Sequence, residues 1–301
     1  MIKLGALGDF VQALGPFAAI RRHHAQAHIT LLTTAPFVEF AAKSGYFDAV
    51  WRDSRPPPWA AGAWLALGRR LRRGGFERVY DLQTSDRTGF YHWLMGPGRR
   101  PEWSGIARGC SHPHANPRRD FMHTLERQAE QLAGAGIAQV PPPDLSWVEA
   151  DTGRFGLSGR YVLMVPGGAA HRPAKRWPVA GYAELARRLA GQGLQPVLLG
   201  KGAEAAVTGA VAARVPGARD LAGETSLAEI VALARRAASA VGNDTGAMHL
   251  IAVAGCPAVV LFSAASDPAL CAPRGPGVTV LRRADLAALP ASEVAASMTL
   301  R

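Results

Sequence analysis

Three short stretches carry residue types that could do chemistry, and each lies where an apolar run gives way to a helical pattern. The first is Lys3-Leu4-Gly5-Ala6-Leu7-Gly8-Asp9-Phe10. Gly5 and Gly8 let the backbone pass close to a ligand, and the open amides of a starting helix suit an anion. Asp9 has two uses open to it. With Gln12 it matches a capping box, and with its carboxylate facing a substrate it could act as a general base. The spacing is not Gly-x-Gly-x-x-Gly, so a dinucleotide fingerprint is not supported.

The second stretch runs from Val165 to Pro178 and brings Lys175, Arg176 and Trp177 together at consecutive positions. A lysine there can set a compact charge on a phosphate; the other reading is a solvated basic turn with Trp177 plugging the core. Lysine is rare in this chain, the others being Lys3, Lys43 and Lys201. In the third stretch, Val241 to Leu250, Asp244 or Thr245 can cap a helix whose first amides form an anion site. His249 follows Thr245 by about one helical turn, on the same face, where it either reaches a phosphate or hydroxyl or is a buried structural histidine. Cys110-Ser111-His112-Pro113-His114 has ligand types at close spacing, but Pro113 and the lack of a second cluster point to an exposed loop, and no metal site is expected.

Parallel α/β elements must position these loops. Strands are expected at His28–Leu32, Asp48–Trp51, Arg78–Leu82, Tyr161–Val165, Pro196–Leu199, Ala238–Val241 and Ala258–Phe262. Helices are expected at Phe10–Arg22, Trp59–Arg73, Asp120–Ala135, Val179–Ala190, Ala203–Val215, Leu227–Arg236 and Gly246–Ala254. Pro141-Pro142-Pro143 continues neither a helix nor a ladder, so the boundary is set there, giving domains 1–145 and 146–301. Two doubly wound, Rossmann-like units follow; such sheets bind ligands beyond the carboxyl ends of their strands, so two facing units would enclose a central cleft.

Composition narrows the function. The chain of 301 residues is 48% hydrophobic and 19% charged, which fits folded domains rather than disorder. The net charge of +11 is spread over both halves and forms no basic arm. No stacking-aromatic and basic motif is present, so nucleic acid is not an expected partner, while a basic surface favours anionic membrane lipids or phosphorylated glycolipids. Three cysteines without a Cys-x-x-Cys pair suit a reducing cytoplasm. Asp9 interrupts what would be a signal peptide, and Gly255 and Pro257 break the longest apolar stretch, so neither secretion nor a spanning helix is expected.

Together the three loops resemble glycosyltransferase family 9, the ADP-heptose:lipopolysaccharide heptosyltransferases, over nearly the whole chain. The pieces that carry the resemblance are Lys3-Leu-Gly-Ala-Leu-Gly-Asp9, Pro173-Ala-Lys-Arg-Trp-Pro178 and Asp244-Thr-Gly-x-x-His249, with Asp81-Leu-Gln83, His123-Thr-Leu-Glu-Arg127 and Asp267-Pro268 as weaker ones. The resemblance implies a GT-B fold, inverting transfer without a metal or other cofactor, a nucleotide-diphospho-sugar donor held by the C-terminal domain, and a glycolipid acceptor held by the N-terminal one. It makes Asp9 the base and assigns Lys175 and the amides at Thr245 and Gly246 to the diphosphate. Asp244 and His249 position the donor, Glu204 meets its ribose, Gly8 and Gly168 complete the donor site, and Arg87, His123 and Arg127 serve the acceptor. Ala170 and His171 stand where some members have threonines, and Ser263-Ala264 replaces the usual Gly-Pro. Two rivals remain: a GT-B-like nucleotide-sugar epimerase, which would turn over donor without acceptor, and a non-catalytic glycolipid- or nucleotide-binding homologue.

Overall fold

A computed structural model describes residues 1–96, 100–168 and 172–301 of the chain. The chain divides into two compact units, Met1–Pro143 and Asp144–Arg301.

In the first unit the elements run α1 (Leu7–Gln12), α2 (Leu14–His23), β1 (Thr30–Thr33), α3 (Ala35–Ala42), β2 (Ala49–Arg52), α4 (Ala61–Arg73), β3 (Arg78–Tyr80), α5 (Asp86–Leu94), β4 (Glu102–Gly105), β5 (His112–Pro113) and α6 (Thr124–Ala133). β1 pairs with β2, and β3 with β4 and then β5, all parallel. The opening residues join these two ribbons. Ile2 donates to the Tyr80 carbonyl at 2.9 Å and accepts from the Leu82 amide at 3.0 Å on one side. On the other side the Lys3 amide donates to Leu32 at 3.0 Å and the Leu32 amide to Met1 at 2.9 Å. The spatial order is therefore β2, β1, residues 1–4, β3, β4, β5, and Ile2, Leu4, Leu32, Val79, Tyr91 and Trp103 pack into one core.

The helix expected over Phe10–Arg22 is two helices that meet at Ala13. Pro16 lacks the amide that a continuous helix would use, and restarting at Leu14 puts it in a first turn, where no amide is needed. Gly15 serves a close approach: a β-carbon there would lie 2.1 Å from the Pro141 carbonyl oxygen. The helix expected over Asp120–Ala135 starts later, because Arg119–Phe121 forms a 3-10 turn and the His123 side chain caps α6 by accepting from the Leu125 amide at 3.2 Å.

The second unit contains β6 (Tyr161–Val165), α7 (Val179–Ala190), β7 (Gln195–Leu198), α8 (Ala205–Ala212), β8 (Arg219–Asp220), α9 (Leu227–Arg236), β9 (Ser239–Asn243), α10 (Gly246–Val253), β10 (Ala258–Phe262), α11 (Pro268–Cys271), β11 (Val278–Arg282) and α12 (Ala291–Ala296). Its six strands lie in the order β11-β10-β9-β6-β7-β8, all parallel. Every residue of β6, β9 and β10 is buried, as expected for strands covered by helices on both faces.

Both units thus have the doubly wound strand order, which reverses direction beside the unit's first strand. In the first unit that point lies between residues 1–4 and β3; in the second it lies between β6 and β9. The loops singled out in the sequence leave those strands.

Candidate active site

At the first switch point the chain turns sharply after Leu4. Gly5 has φ +122°, a conformation that L side chains rarely adopt, and a β-carbon there would also meet the Phe37 ring at 3.0 Å. Helix α1 starts at Leu7, with Gly8 in its first turn. Asp9 is not the N-cap expected from its pairing with Gln12; it sits three residues into the helix and its carboxylate reaches back to accept from the Ala6 amide at 3.2 Å. One acceptor bond on a half-buried carboxylate leaves capacity for another donor.

Two cations share this corner. Lys3 is buried, and its ammonium donates to the Leu82 carbonyl at 2.9 Å. Burial lowers its pKa, while Asp9 and Asp81 oppose that by favouring the charge. Arg127, half-buried on α6, is drawn down first by burial and then by Arg119, and held up by Asp9. Helix α6 packs against α1, which brings Arg127 into electrostatic reach of Asp9. Across the switch point the Gln83 side chain accepts from the Leu4 amide at 2.9 Å, and Asp81 accepts from the Gln83 and Thr84 amides, each at 3.1 Å. Burial pushes the Asp81 carboxyl up to about 6. Arg87 is engaged in packing: its guanidinium donates to the Pro56 carbonyl at 3.1 Å and lies 5.3 Å from the Trp64 ring centroid.

In the second unit, the buried Asn243 ties three loops to one point. Its side chain accepts from the Trp177 amide at 2.9 Å and the Tyr182 hydroxyl at 3.1 Å, and donates to the Pro166 and Gly167 carbonyls at 2.9 and 3.0 Å. Trp177 is indeed a core plug, 2% exposed and edge-on to Tyr182 at 4.8 Å. With residue 177 pinned, Lys175 lies at the rim, and its ammonium pairs with Asp244 at 2.6 Å. Arg176 turns to the Gly168 carbonyl.

Thr245 occupies the N-cap position of α10, yet its hydroxyl does not cap the helix; it is buried and, among the described residues, lacks a hydrogen-bond partner. The amides of the first α10 turn open beside it, a donor array suited to an anion. A β-carbon on Gly168 would come within 3.8 Å of Thr245, so the β6 loop passes directly over this helix end. His249, four residues along α10, is buried. Glu204 closes the other side: a β-carbon on Gly167 would lie 2.3 Å from its Oε1, so any larger residue there would push aside the carboxylate, which accepts from the Lys201 amide at 2.8 Å.

The second unit therefore brings together Gly168, Lys175, Glu204, Asp244, Thr245 and Gly246, and the first unit brings Asp9 to Arg127. Sequence reasoning gave no role to Asn243, Lys3 or Asp81, although Lys3 and Asp81 stand in its motifs. A buried lysine in a lysine-poor chain and an asparagine at a strand end were the available signals. Ala170 and His171 lie outside the described residues. His112 and His114 are spent locally, on Ser111 at 3.0 Å and on Glu130 at 3.2 Å. Among the described residues no group of three or more His, Cys, Asp or Glu side chains converges, and no helix is long and apolar enough to cross a membrane.

A model of glycosyltransferase family 9 (heptosyltransferase) matches residues 64–299. The chain is 30% identical, over 286 residues covering 86% of it and 81% of the relative, to lipopolysaccharide heptosyltransferase 2 of Escherichia coli K12. Among solved structures, Escherichia coli ADP-heptose lipopolysaccharide heptosyltransferase II aligns over 98% of this chain and 96% of that one with a TM-score of 0.80 at 21% identity. A second Escherichia coli heptosyltransferase, solved with ADP, covers 98% and 97% with a TM-score of 0.75 at 19% identity. These likenesses give the fold as GT-B, two doubly wound units in one chain. The family match and the 30% identity over most of a relative together place the chain in glycosyltransferase family 9, and it is a glycosyltransferase.

Proposed function

We propose that the chain transfers a heptosyl group from ADP-heptose to a hydroxyl of a lipopolysaccharide core acceptor in the cytoplasm, inverting the anomeric centre and using no metal ion. The acceptor oxygen forms its bond to the anomeric carbon while the bond from that carbon to the diphosphate oxygen breaks. Asp9 takes the proton of the attacking hydroxyl, and the electron pair of the broken bond stays on the leaving ADP. Lys175 and the first amides of α10 hold the diphosphate and offset the charge that grows on it, the role that a divalent cation would otherwise fill. Gly246 carries one of those amides, the buried Thr245 hydroxyl supplies a further donor, and His249 and Asp244 orient the donor. Glu204 meets the ribose, and Gly8 and Gly168 let the donor approach the backbone. His123 and Arg127 receive the acceptor, and Arg87 supports that surface through Pro56 and Trp64.

The observation that carries this reading is the pairing of Lys175 with Asp244 at the end of α10, beside an unpartnered Thr245 hydroxyl. Lysine, hydroxyl and helix end make a site for two linked phosphates; the ADP in the solved relative suggests the base, and the names of the relatives suggest the sugar. Calorimetric titration with ADP tests it. Lys175→Met should weaken ADP binding tenfold or more, and ADP should bind more tightly than UDP or GDP. Equal ADP affinity in the variant would remove Lys175 from the diphosphate site.

A further inference from the structure

The five most exposed large hydrophobic side chains among the described residues, Trp59, Leu65, Phe90, Trp93 and Phe121, all belong to the first unit. Four of them cluster on α4, α5 and the turn before α4. Trp59, 84% exposed, stands just ahead of α4, Leu65 lies on its outward face, and Phe90 and Trp93 project from α5. The two helices present one surface: Phe90 packs edge-on against Trp64 with ring centroids 5.2 Å apart, and Arg72 donates to the Leu94 carbonyl at 2.7 Å.

The same surface is cationic. Leu65, Arg69 and Arg73 recur at four-residue spacing along the exposed side of α4, with Arg70 beside them. Between Ser54 and Phe76 the chain carries five arginines and no aspartate or glutamate. Arg69, Arg70 and Arg73 surround a shallow depression of about 410 Å³ floored by Trp51 and Ala66. Arg70 lies 4.3 Å over the Trp51 ring and donates to the Arg52 carbonyl at 3.3 Å, which fixes its guanidinium at the rim.

Exposed tryptophans lose contact with water gladly at a bilayer interface, where a ring can sit among headgroups, and clustered arginines gain from the negative potential of anionic lipids. A symmetric contact with a second copy would set these arginines against one another, which disfavours self-association as the use of this face. We infer that the outward face of α4 and α5 docks the chain on a bilayer containing anionic phospholipids, with Arg69, Arg70 and Arg73 on headgroup phosphates and Trp59 and Trp93 in the interface. Docking of this kind requires no sugar nucleotide.

The test is co-sedimentation of the full chain with vesicles of phosphatidylcholine alone and of phosphatidylcholine mixed with phosphatidylglycerol, at low salt. Binding should favour the mixed vesicles at least tenfold and fall as salt is raised. The double variant Arg69→Gln/Arg73→Gln should bind the mixed vesicles about thirtyfold more weakly, from the usual attraction of two arginines to an anionic surface. Trp59→Ser/Trp93→Ser should abolish the blue shift of tryptophan emission on binding, with far-UV circular dichroism confirming that both variants fold. Equal partition onto the two kinds of vesicle, unaltered binding by both variants, or concentration-dependent dimerisation lost in the same variants would overturn the inference.

Discussion

Asn243→Ala is the perturbation with the most to say about how the second unit builds its site. Asn243 is fully buried and joins the β6 loop, the Trp177 turn and the end of β9. Truncation removes the acceptor of the Trp177 amide and the donors to the Pro166 and Gly167 carbonyls; the Tyr182 hydroxyl keeps an alternative at the Val165 carbonyl, 3.2 Å away. Three lost hydrogen bonds at about 1 kcal/mol each, with their partners stranded out of water, put the cost at about 3 kcal/mol, and the cavity adds to it. A chain of two units need not unfold in one step, so the measurement is native-state hydrogen exchange of peptides spanning β6 and β9. ADP affinity should fall in parallel, because Lys175 hangs on the same turn. Asn243→Asp separates geometry from charge: its carboxylate would face two carbonyl oxygens, raising its pKa in the folded chain, so that variant should be most stable at low pH and lose stability as pH rises. Loss of less than about 1 kcal/mol in the alanine variant would refute the argument that Asn243 holds the loops.

Two further outcomes are expected. Because burial raises the Asp81 carboxyl from 3.8 to about 6, the folded chain binds this proton more tightly than the unfolded one, so stability should decline as pH rises through that window. The decline is on the order of 3 kcal/mol, and urea unfolding of Asp81→Asn, which can keep the bonds from Gln83 and Thr84, should lack it. Gly167→Ala puts a β-carbon 2.3 Å from the Glu204 carboxylate, a flexible end that can swing aside, so thermal stability should change little while ADP affinity drops severalfold; unchanged affinity would take Glu204 out of the donor site.

Much of the architecture was legible because parallel sheets covered on both faces write their strands as apolar runs. β6, β10, α7 and α9 fall at the residues expected, since each is a full apolar or 3.6-period segment. What escaped was short or mixed. α5 is capped by Ser85 with Thr88 as its reciprocal partner, where a sequence search looks for Glu or Gln. β4 and β5 are stretches of four and two residues, each too brief to show a period. In the candidate site, Lys175, Asp244 and Thr245 could be singled out because cation, carboxylate and helix start stand on loops after strands, and the structure sets Lys175 against Asp244. The roles of Lys3, Asp81 and Asn243 were not, because a buried polar side chain reveals its purpose only through partners distant in sequence: Leu82 for Lys3, Lys3 for Asp81, and Pro166 and Trp177 for Asn243.

Asp9 is the base on which the proposed transfer depends. Asn at this position can still accept from the Ala6 amide, so Asp9→Asn keeps the turn while removing proton acceptance. Steady-state turnover of ADP-heptose with a core acceptor, measured beside ADP affinity, should show kcat reduced by about 10²-fold or more with ADP binding unchanged. Turnover equal to that of the parent chain would contradict it.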